Sequence, residues 1–580
     1  MGTLALRRIL LTSIDQLLTN RMGFGNRSTK LARNFSSNDL QDVLKKEVRK
    51  VNEWWATPRF RNIQRPYTAE DVVKHRGSLP VQTSQYPSSY QAQKLFHLIN
   101  EKFKSKMPVH TLGVIDPVQM SQLARCKDIQ VAYVSGWACS STLVGSTNEV
   151  SPDFGDYPYD TVPNQVERIF KAQQMHDRKL YLARYLQKTK EADETDYLKP
   201  IIADADMGHG GITTVMKVAK LFAEKGAAGI HLEDQLVGGK KCGHLSGAVI
   251  VPTSTHVSRL IATRFQWDLM GTENLAIART DSCNAGLISS STDPRDHQYI
   301  KGIIKPHVIA WSERLVDLQR EGTVTNSHIL GDAETEWYAQ NETMTFDEAV
   351  ERQLGGNEYQ AYHRMKADRM QQLKRNYLSL PEMKAIASMA APSKEVIFDW
   401  DKPRTMEGHY MYHGCLEAAI QRSLTFAPYS DMLWLETKIP DQHQARSFAE
   451  KIHEKYPEAK LVYNLSPSFN WSAHGYTPES LESFIWDIAR YGFVLQLVSL
   501  AGVHVDGLSF WQLARNFQKT GMQAYVDQVQ KIEKLESCDL LTHQKWSGIE
   551  YVDSLTKVIQ NGSSAHTSST GGDSFTESQF

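Results

Sequence analysis

The chain has 580 residues, 41% hydrophobic and 23% charged, and its 65 basic and 66 acidic side chains leave a formal net charge of -1. That is enough chain for one large domain with insertions or about three or four ordinary ones, and so even a balance gives no global field to gather nucleic acid or an anionic membrane. The six cysteines, Cys126, Cys139, Cys242, Cys283, Cys415 and Cys538, show no Cys-x-x-Cys pairing, which argues against a disulfide framework or structural zinc site, and no apolar run reaches the roughly 18 residues of a membrane span.

Residues 1–37 set Arg7, Arg8, Arg21, Arg27, Lys30 and Arg33 against a single acid, Asp15, with leucine, serine and threonine between them. This composition predicts a mitochondrial transit peptide and a matrix location, a basic arm being the alternative. Residues 38–109 predict an N-terminal helical segment, with helical spacing at 41–55 and 91–103. From 110 to 281 the texture changes to short apolar runs ending in small or polar residues, at 111–115, 129–136, 200–206, 227–234 and 274–281, and three more follow in 401–510, at 431–436, 461–468 and 492–501. Helical stretches at 212–225, 255–270 and 478–490 separate several of them.

Buried strands alternating with helices over this length predict an α/β fold, a (β/α)8 barrel of the TIM type in two parts. An open doubly wound sheet is the alternative, but no Gly-x-Gly-x-x-Gly fingerprint follows the first strand. Residues 282–400 interrupt the alternation and read as a mainly helical insertion, whose mixed acids and bases do not form a nucleic-acid patch. Residues 511–560 predict C-terminal helices that close the fold. Residues 561–580, rich in Gly, Ser and Thr, predict a disordered tail, and its last residues, Glu-Ser-Gln-Phe, are not a peroxisomal address.

In a barrel of this kind the C-terminal strand ends form one rim, where active sites collect. The residues there are Ser135, Gly136 and Trp137; Asp204 and Asp206; Glu233; Arg279, Thr280 and Asp281; Glu436; and Asn464, Ser466 and Ser468. Asp204, Asp206, Glu233 and Glu436 are oxygen donors for a hard cation. Without a Cys or His cage they suit Mg2+ rather than zinc, with one or two direct carboxylates and the rest through water. Arg279 offers a planar fork for a carboxylate. Asn464, Leu465, Ser466, Pro467 and Ser468 form either a second carboxylate site or an ordinary turn. Together these groups describe a pocket for a small polycarboxylate, and a divalent cation beside a hydroxy acid favours carbon–carbon cleavage by a retro-aldol step.

The run Lys240-Lys-Cys242-Gly-His244-Leu-Ser-Gly247 places a cysteine between two lysines and a histidine, where positive charge favours the thiolate. It is either a surface loop or a loop that closes over the pocket and lets Cys242 give a proton to the departing carbanion.

With these residues in place the sequence resembles the isocitrate lyase family from about residue 40 to 555. Lys240 to His244 is similar to that family's catalytic loop, Ser135-Gly-Trp137 to its glyoxylate-side turn, and Ile202-Ala-Asp-Ala-Asp206 followed by Gly208-His-Gly-Gly211 to its magnesium strand. Ile277-Ala-Arg-Thr-Asp281 and Asn464-Leu-Ser-Pro-Ser-Phe-Asn-Trp471 are similar to further substrate-binding motifs. The resemblance implies a homotetramer and Mg2+-dependent cleavage of a 2,3-substituted tricarboxylate to succinate and a 2-oxo acid. It implies Asp204 as the magnesium ligand, with Glu233 and Glu436 acting behind it. It also implies Cys242 as acid-base residue, Gly243 and His244 as substrate contacts, Arg279 as clamp and 464–468 as the succinate side. Tyr133 and His209 remain alternative groups for activating the hydroxyl.

Where the family usually reads Trp-Gln-Phe-Ile-Thr-Leu-Ala-Gly, this chain has Leu495-Gln-Leu-Val-Ser-Leu-Ala-Gly502, and where it reads Met-Ala-Gly-Lys, this chain has Leu245-Ser-Gly-Ala248. Leu495, Leu497 and Ser499 remove bulk near the expected 2-oxo-acid side, which favours 2-methylisocitrate, with pyruvate as product, over isocitrate and glyoxylate. Two other expectations stay open: a non-catalytic scaffold, and another reaction of the wider phosphoenolpyruvate mutase barrel group.

Overall fold

The computed structural model describes residues 37–143, 154–186, 194–241, 247–322 and 327–562. The transit peptide (all but residue 37), Cys242, Gly243 and His244, and all but the first two residues of the expected tail lie outside that set.

Runs of small and β-branched residues, too short and too uniformly apolar for amphipathic helices, become strands. They are β1 (Val109–Gly113), β2 (Ile129–Val134), β3 (Ile201–Asp204), β4 (Gly229–Glu233), β5 (Leu275–Thr280), β6 (Met432–Leu435), β7 (Lys460–Asn464) and β8 (Leu495–Val498). All pair in parallel and close into a barrel in the order β1-β8-β7-β6-β5-β4-β3-β2. The fold is therefore the α/β barrel expected from the sequence, and each of the eight anticipated runs supplies one strand.

Alternation along each strand divides the side chains into two cores. Ala132, Val134, Ile201, Ala203, Ile230, Leu232, Ala276, Ala278, Leu433 and Leu435 point outward into the layer beneath the helices. Val131, Tyr133, Ile202, Ile277, Trp434, Val462, Leu495 and Leu497 fill the interior.

Helices α1 (Pro117–Arg125), α2 (Thr161–Tyr185), α3 (Ile212–Lys225), α4 (Thr253–Met270), α5 (Leu416–Phe426), α6 (Gln442–Lys455) and α7 (Pro478–Ala489) follow the first seven strands. Helix α3 shows why such stretches are helices: Val215, Val218, Ala219 and Phe222 recur on one buried face. It ends at Gly226, whose left-handed φ of 104° and tight approach to Phe170 both exclude a side chain.

The lower end of the barrel is plugged by helix Pro87–Ser105, whose Ala92, Leu95 and Ile99 join the interior core. Beneath it Arg59 and Arg264 converge on the buried Asp431 at 2.5 and 2.6 Å. Residues 37–57 and 67–77 form a compact unit of their own, in which Val51 packs with Ala69 and Val73.

Helix α8 (Ala501–Thr520) follows β8 and runs into the segment expected to hold the C-terminal helices. Within it only Gly502 is buried. Val505, Leu508, Phe510 and Trp511 are exposed, as is Leu112 on the barrel strand β1. These apolar side chains are not buried by the described residues, although Gly502 itself packs against Gln119 and the Gly113 carbonyl.

The excursion between β5 and α5 is less purely helical than its composition suggested. It includes the antiparallel pair Lys301–Ile303 with Thr343–Thr345, and Leu287–Ile288 paired with Val249–Ile250 and Tyr410–Met411. Runs of two or three residues carry no readable period. The helices within it have their own core around Phe346, Tyr362, Leu378, Met383 and Phe398.

Candidate active site

The alternation that buries Val131, Ile202, Ile277 and Val462 inside the barrel also aims the next inward positions at its C-terminal mouth. These are Tyr133 and Ser135, Asp204 and Asp206, His231 and Glu233, Arg279 and Asp281, Trp434 and Glu436, and Asn464 and Ser466. Most of the expected residues thus meet in one place, and His231 and Trp434 join them unanticipated.

Asp204 is the centre of the polar side. Its Oδ1 accepts the Asp206 N–H at 2.9 Å and its Oδ2 accepts the Gly136 N–H at 3.0 Å. Gly136 is required there, because a Cβ would collide with the Tyr157 hydroxyl and the Asp206 carboxylate. The Tyr133 hydroxyl lies 3.4 Å from Asp204 Oδ2 and 2.8 Å from His231 Nε2, and His231 Nε2 is 3.3 Å from Asp204 Oδ1. The His231 ring stacks on Tyr133 and rests against Trp434 at 4.5 Å.

Burial works to raise the Asp204 carboxyl, but His231, Lys240 and Arg279 more than offset it and hold it at about 2. Burial lowers His231 and pushes Tyr133 well above its usual value, with Asp204 adding to the latter effect.

Arg279, 10% exposed at the side chain, is held by Asp281 through Nε at 3.1 Å and Nη2 at 2.9 Å, and lies 5.3 Å above the Trp434 ring. Nη1 has no partner among the described residues, leaving one edge of the fork for a ligand. Glu436 lies among Trp434, Asn464 and Arg279. It accepts the Trp434 indole N–H at 2.9 Å and the Asn464 amide at 3.3 Å, and its Oε1 is 3.7 Å from Arg279.

The 464–468 run is divided. Asn464 and Ser466 turn in, and the buried Ser466 hydroxyl accepts the Ser468 N–H at 3.2 Å, whereas Pro467 and Ser468 are exposed and Leu465 is half-buried. Trp137 is half-buried on helix Gly136–Leu143, and Ser499 is half-buried just beyond β8.

The basic loop holds the principal surprise. Sequence reasoning assigned the Lys240 charge to its neighbour Cys242, but its buried ammonium points inward, 2.7 Å from Asp206 Oδ1 and 3.9 Å from Glu233 Oε1. Burial opposes the charge, yet Asp206 and Glu233 raise Lys240 above the ordinary lysine range. Lys241 is pinned by Gln235, which accepts its N–H and donates to its carbonyl, each at 2.8 Å. Asp206 also accepts the Tyr157 hydroxyl, and His209 Nε2 stands 3.6 Å from it at the rim. His231 was findable as a polar residue on the inward face of an apolar strand. Tyr157 and Lys240 carried no such signal, since only the fold brings them to Asp206.

Among the described residues no group of three or more His, Cys, Asp or Glu side chains converges as a metal cage; Lys240 lies beside Asp206 and Glu233, and Arg279 beside Glu233 and Glu436. A hard cation nevertheless fits. The donors are all oxygen, and the buried Glu233 Oε1 has no hydrogen-bond partner. Burial pushes Glu233 well above the ordinary carboxylate range against the pull of Lys240 and Arg279. Such an unmet acceptor beside Asp204 and Asp206 suits a cation that takes one or two carboxylates and keeps its waters.

A parallel barrel whose mouth joins acids, a guanidinium fork and a buried tyrosine defines a class of enzyme for small carboxylates. The family model for the isocitrate lyase family matches residues 47–580, and the chain belongs to that family. It is 67% identical over 552 residues to the mitochondrial 2-methylisocitrate lyase ICL2 of Saccharomyces cerevisiae, covering 95% of each chain. It is 50% identical to a mitochondrial 2-methylisocitrate lyase of Hypocrea atroviridis, covering 92% of this chain and 94% of that one. To an isocitrate lyase of Pinus taeda it is 43% identical, with 92% of each covered.

Proposed function

We propose that the chain is a mitochondrial matrix lyase that cleaves 2-methylisocitrate to succinate and pyruvate, within the breakdown of propionate. The observation that carries the substrate choice is the inner face of β8. Leu495 and Leu497 are fully buried there, Leu497 pairs in register with Asn464, and alternation puts Ser499 next on the same face. The family's bulkier residues would fill the room that an additional methyl needs. The higher identity to the two 2-methylisocitrate lyases than to the plant isocitrate lyase supports the same reading, and the arginine-rich first 37 residues support the compartment.

Asp204, with Glu233 and Asp206 behind it, would hold Mg2+, which supplies a charge that acidifies the substrate hydroxyl and neutralises the carboxylates around it. Arg279 grips a substrate carboxylate through its open edge, and Asn464 with Ser466 receives the succinate end. Tyr133 is better placed than His209 to take the hydroxyl proton. It faces inward, and its hydroxyl lies 2.8 Å from His231 Nε2 and 3.4 Å from Asp204 Oδ2, whereas His209 is turned to Asp206 at the rim. As the carbon–carbon bond breaks, its electron pair goes to the succinate carbon and Cys242 returns a proton to it.

The exposed apolar face of α8 and the uncovered Leu112 support a homotetramer in which partner subunits cover these surfaces.

The test is kcat/KM for both substrates on one enzyme preparation, with and without chelator. A preference for 2-methylisocitrate that is lost with chelator and restored by Mg2+ is expected. A preference for isocitrate makes the chain an isocitrate lyase of the glyoxylate bypass. In Cys242→Ser, turnover should nearly vanish with the melting temperature unchanged, and an undiminished rate overturns the role of Cys242.

A further inference from the structure

We infer that Arg422 is a positioning residue for the Arg279 clamp, and that the excursion after β5 acts on the active site through it. Arg422 lies on α5, its side chain 2% exposed, and touches none of the reacting groups described above. Its Nη1 donates to Asp234 Oδ2 at 2.9 Å, while Nη2 donates to Asp296 Oδ1 and to the Val251 carbonyl, each at 2.9 Å. Asp296 belongs to the excursion, and it also accepts the Thr253 N–H and hydroxyl at the start of α4.

Asp234 joins Arg422 to the end of β5. It follows Glu233 at the end of β4, is wholly buried, and grips the end of the neighbouring strand β5 at two points. Its Oδ2 accepts the Thr280 hydroxyl at 2.8 Å, and its Oδ1 accepts the Asp281 N–H at 2.9 Å. These two residues directly follow Arg279, and Asp281 then holds the guanidinium of Arg279 with both carboxylate oxygens. A continuous path therefore runs from Asp296 through Arg422 and Asp234 to the turn that aims the clamp. Asp234 already serves Thr280 and Asp281, so it can keep its orientation only while a rigid, correctly directed cation opposes it. A guanidinium does this for three acceptors at once, and an ammonium, as a point charge on a flexible stem, does not.

This inference rests on the reading of Arg279 as a carboxylate clamp, so the experiment includes Arg279→Lys. Steady-state kinetics at 25 °C would compare the parent, Arg422→Lys, Arg279→Lys and the double variant, with melting temperatures recorded for each. Arg422→Lys should raise KM about tenfold while kcat stays within about threefold, because misaimed binding groups cost affinity before chemistry. Since Arg422 acts through Arg279, the double variant should be no worse than Arg279→Lys alone.

An unchanged KM in Arg422→Lys, or losses that multiply in the double variant, would overturn the positioning role. An unchanged KM in Arg279→Lys would remove the clamp reading itself, a separate result. Should Arg422→Lys not fold, Asp296→Asn keeps the Arg422 to Asp234 pair and loosens only its tether. It should raise KM about threefold, and no change there counts against the proposal.

Discussion

Filling the inner face of β8 should move the enzyme from the methylated substrate toward isocitrate. The double substitution Leu497→Phe and Ser499→Thr restores the family's usual side chains at two positions. Leu497 is fully buried in the interior core that also contains Tyr133, Trp434 and Leu495, so a larger ring there has no solvent to retreat into and must occupy the mouth. A methyl group in an apolar pocket is worth about 1–3 kcal/mol of discrimination, or about 10- to 200-fold. The threonine methyl alone contributes about 0.8 kcal/mol of that. The rigidity of the site favours the upper half of the range, since overpacking a close-packed core costs about 1–3 kcal/mol. The assay is the ratio of kcat/KM for 2-methylisocitrate over isocitrate, with the melting temperature as control. The ratio should fall at least tenfold while isocitrate turnover holds or rises. If both substrates lose equally in a variant that melts like the parent, the β8 face does not choose the substrate.

Lys240→Met keeps the length of the side chain and removes the charge between Asp206 and Glu233. Breaking a buried pair from one side costs about 3–5 kcal/mol, so the melting temperature should drop clearly, and an unchanged melt would show that Asp206 does not depend on Lys240. Tyr133→Phe should lower kcat by about 10²–10⁴ with KM within a few-fold, the range for loss of a proton-transfer group; an unchanged kcat would return that role to His209. His176 is buried between Tyr197 and Trp546 with its Nδ1 unpartnered, and burial, then Lys179, lowers its pKa from 6.5 to about 4. Its neutral form belongs to the fold, so that stability is complete above pH 6.5 and is lost as pH falls toward 4, by about 2 kcal/mol after allowance for solvent screening. His176→Phe should flatten the fall in melting temperature across that window relative to the parent, and parallel curves would count against it.

The strands were legible because each is a short apolar run bounded by polar or small residues, and the rim was legible because those residues are acids, arginine and serines in a recurring place. Lys240 was read beside its neighbour Cys242, which lies outside the described residues, and its pairing with Asp206, a residue 34 positions earlier, appears only in the fold. Glu436 was grouped with the metal acids by residue type, and only the fold shows its bonds to Trp434 and Asn464. Helix α8 leaves Val505, Leu508, Phe510 and Trp511 exposed, which its composition alone does not reveal.

The sequence by itself determined the period of the strands, hence the barrel, and the kinds of side chain that could reach its mouth. Only the tertiary structure decided which charges meet. Barrel closure brings β2 to β7 around one axis and sets the Lys240 ammonium, the Arg279 fork and the Tyr133 and His231 pair against particular carboxylates. Electrostatic pairing falls off over a few ångströms, a scale on which separation along the chain carries no information.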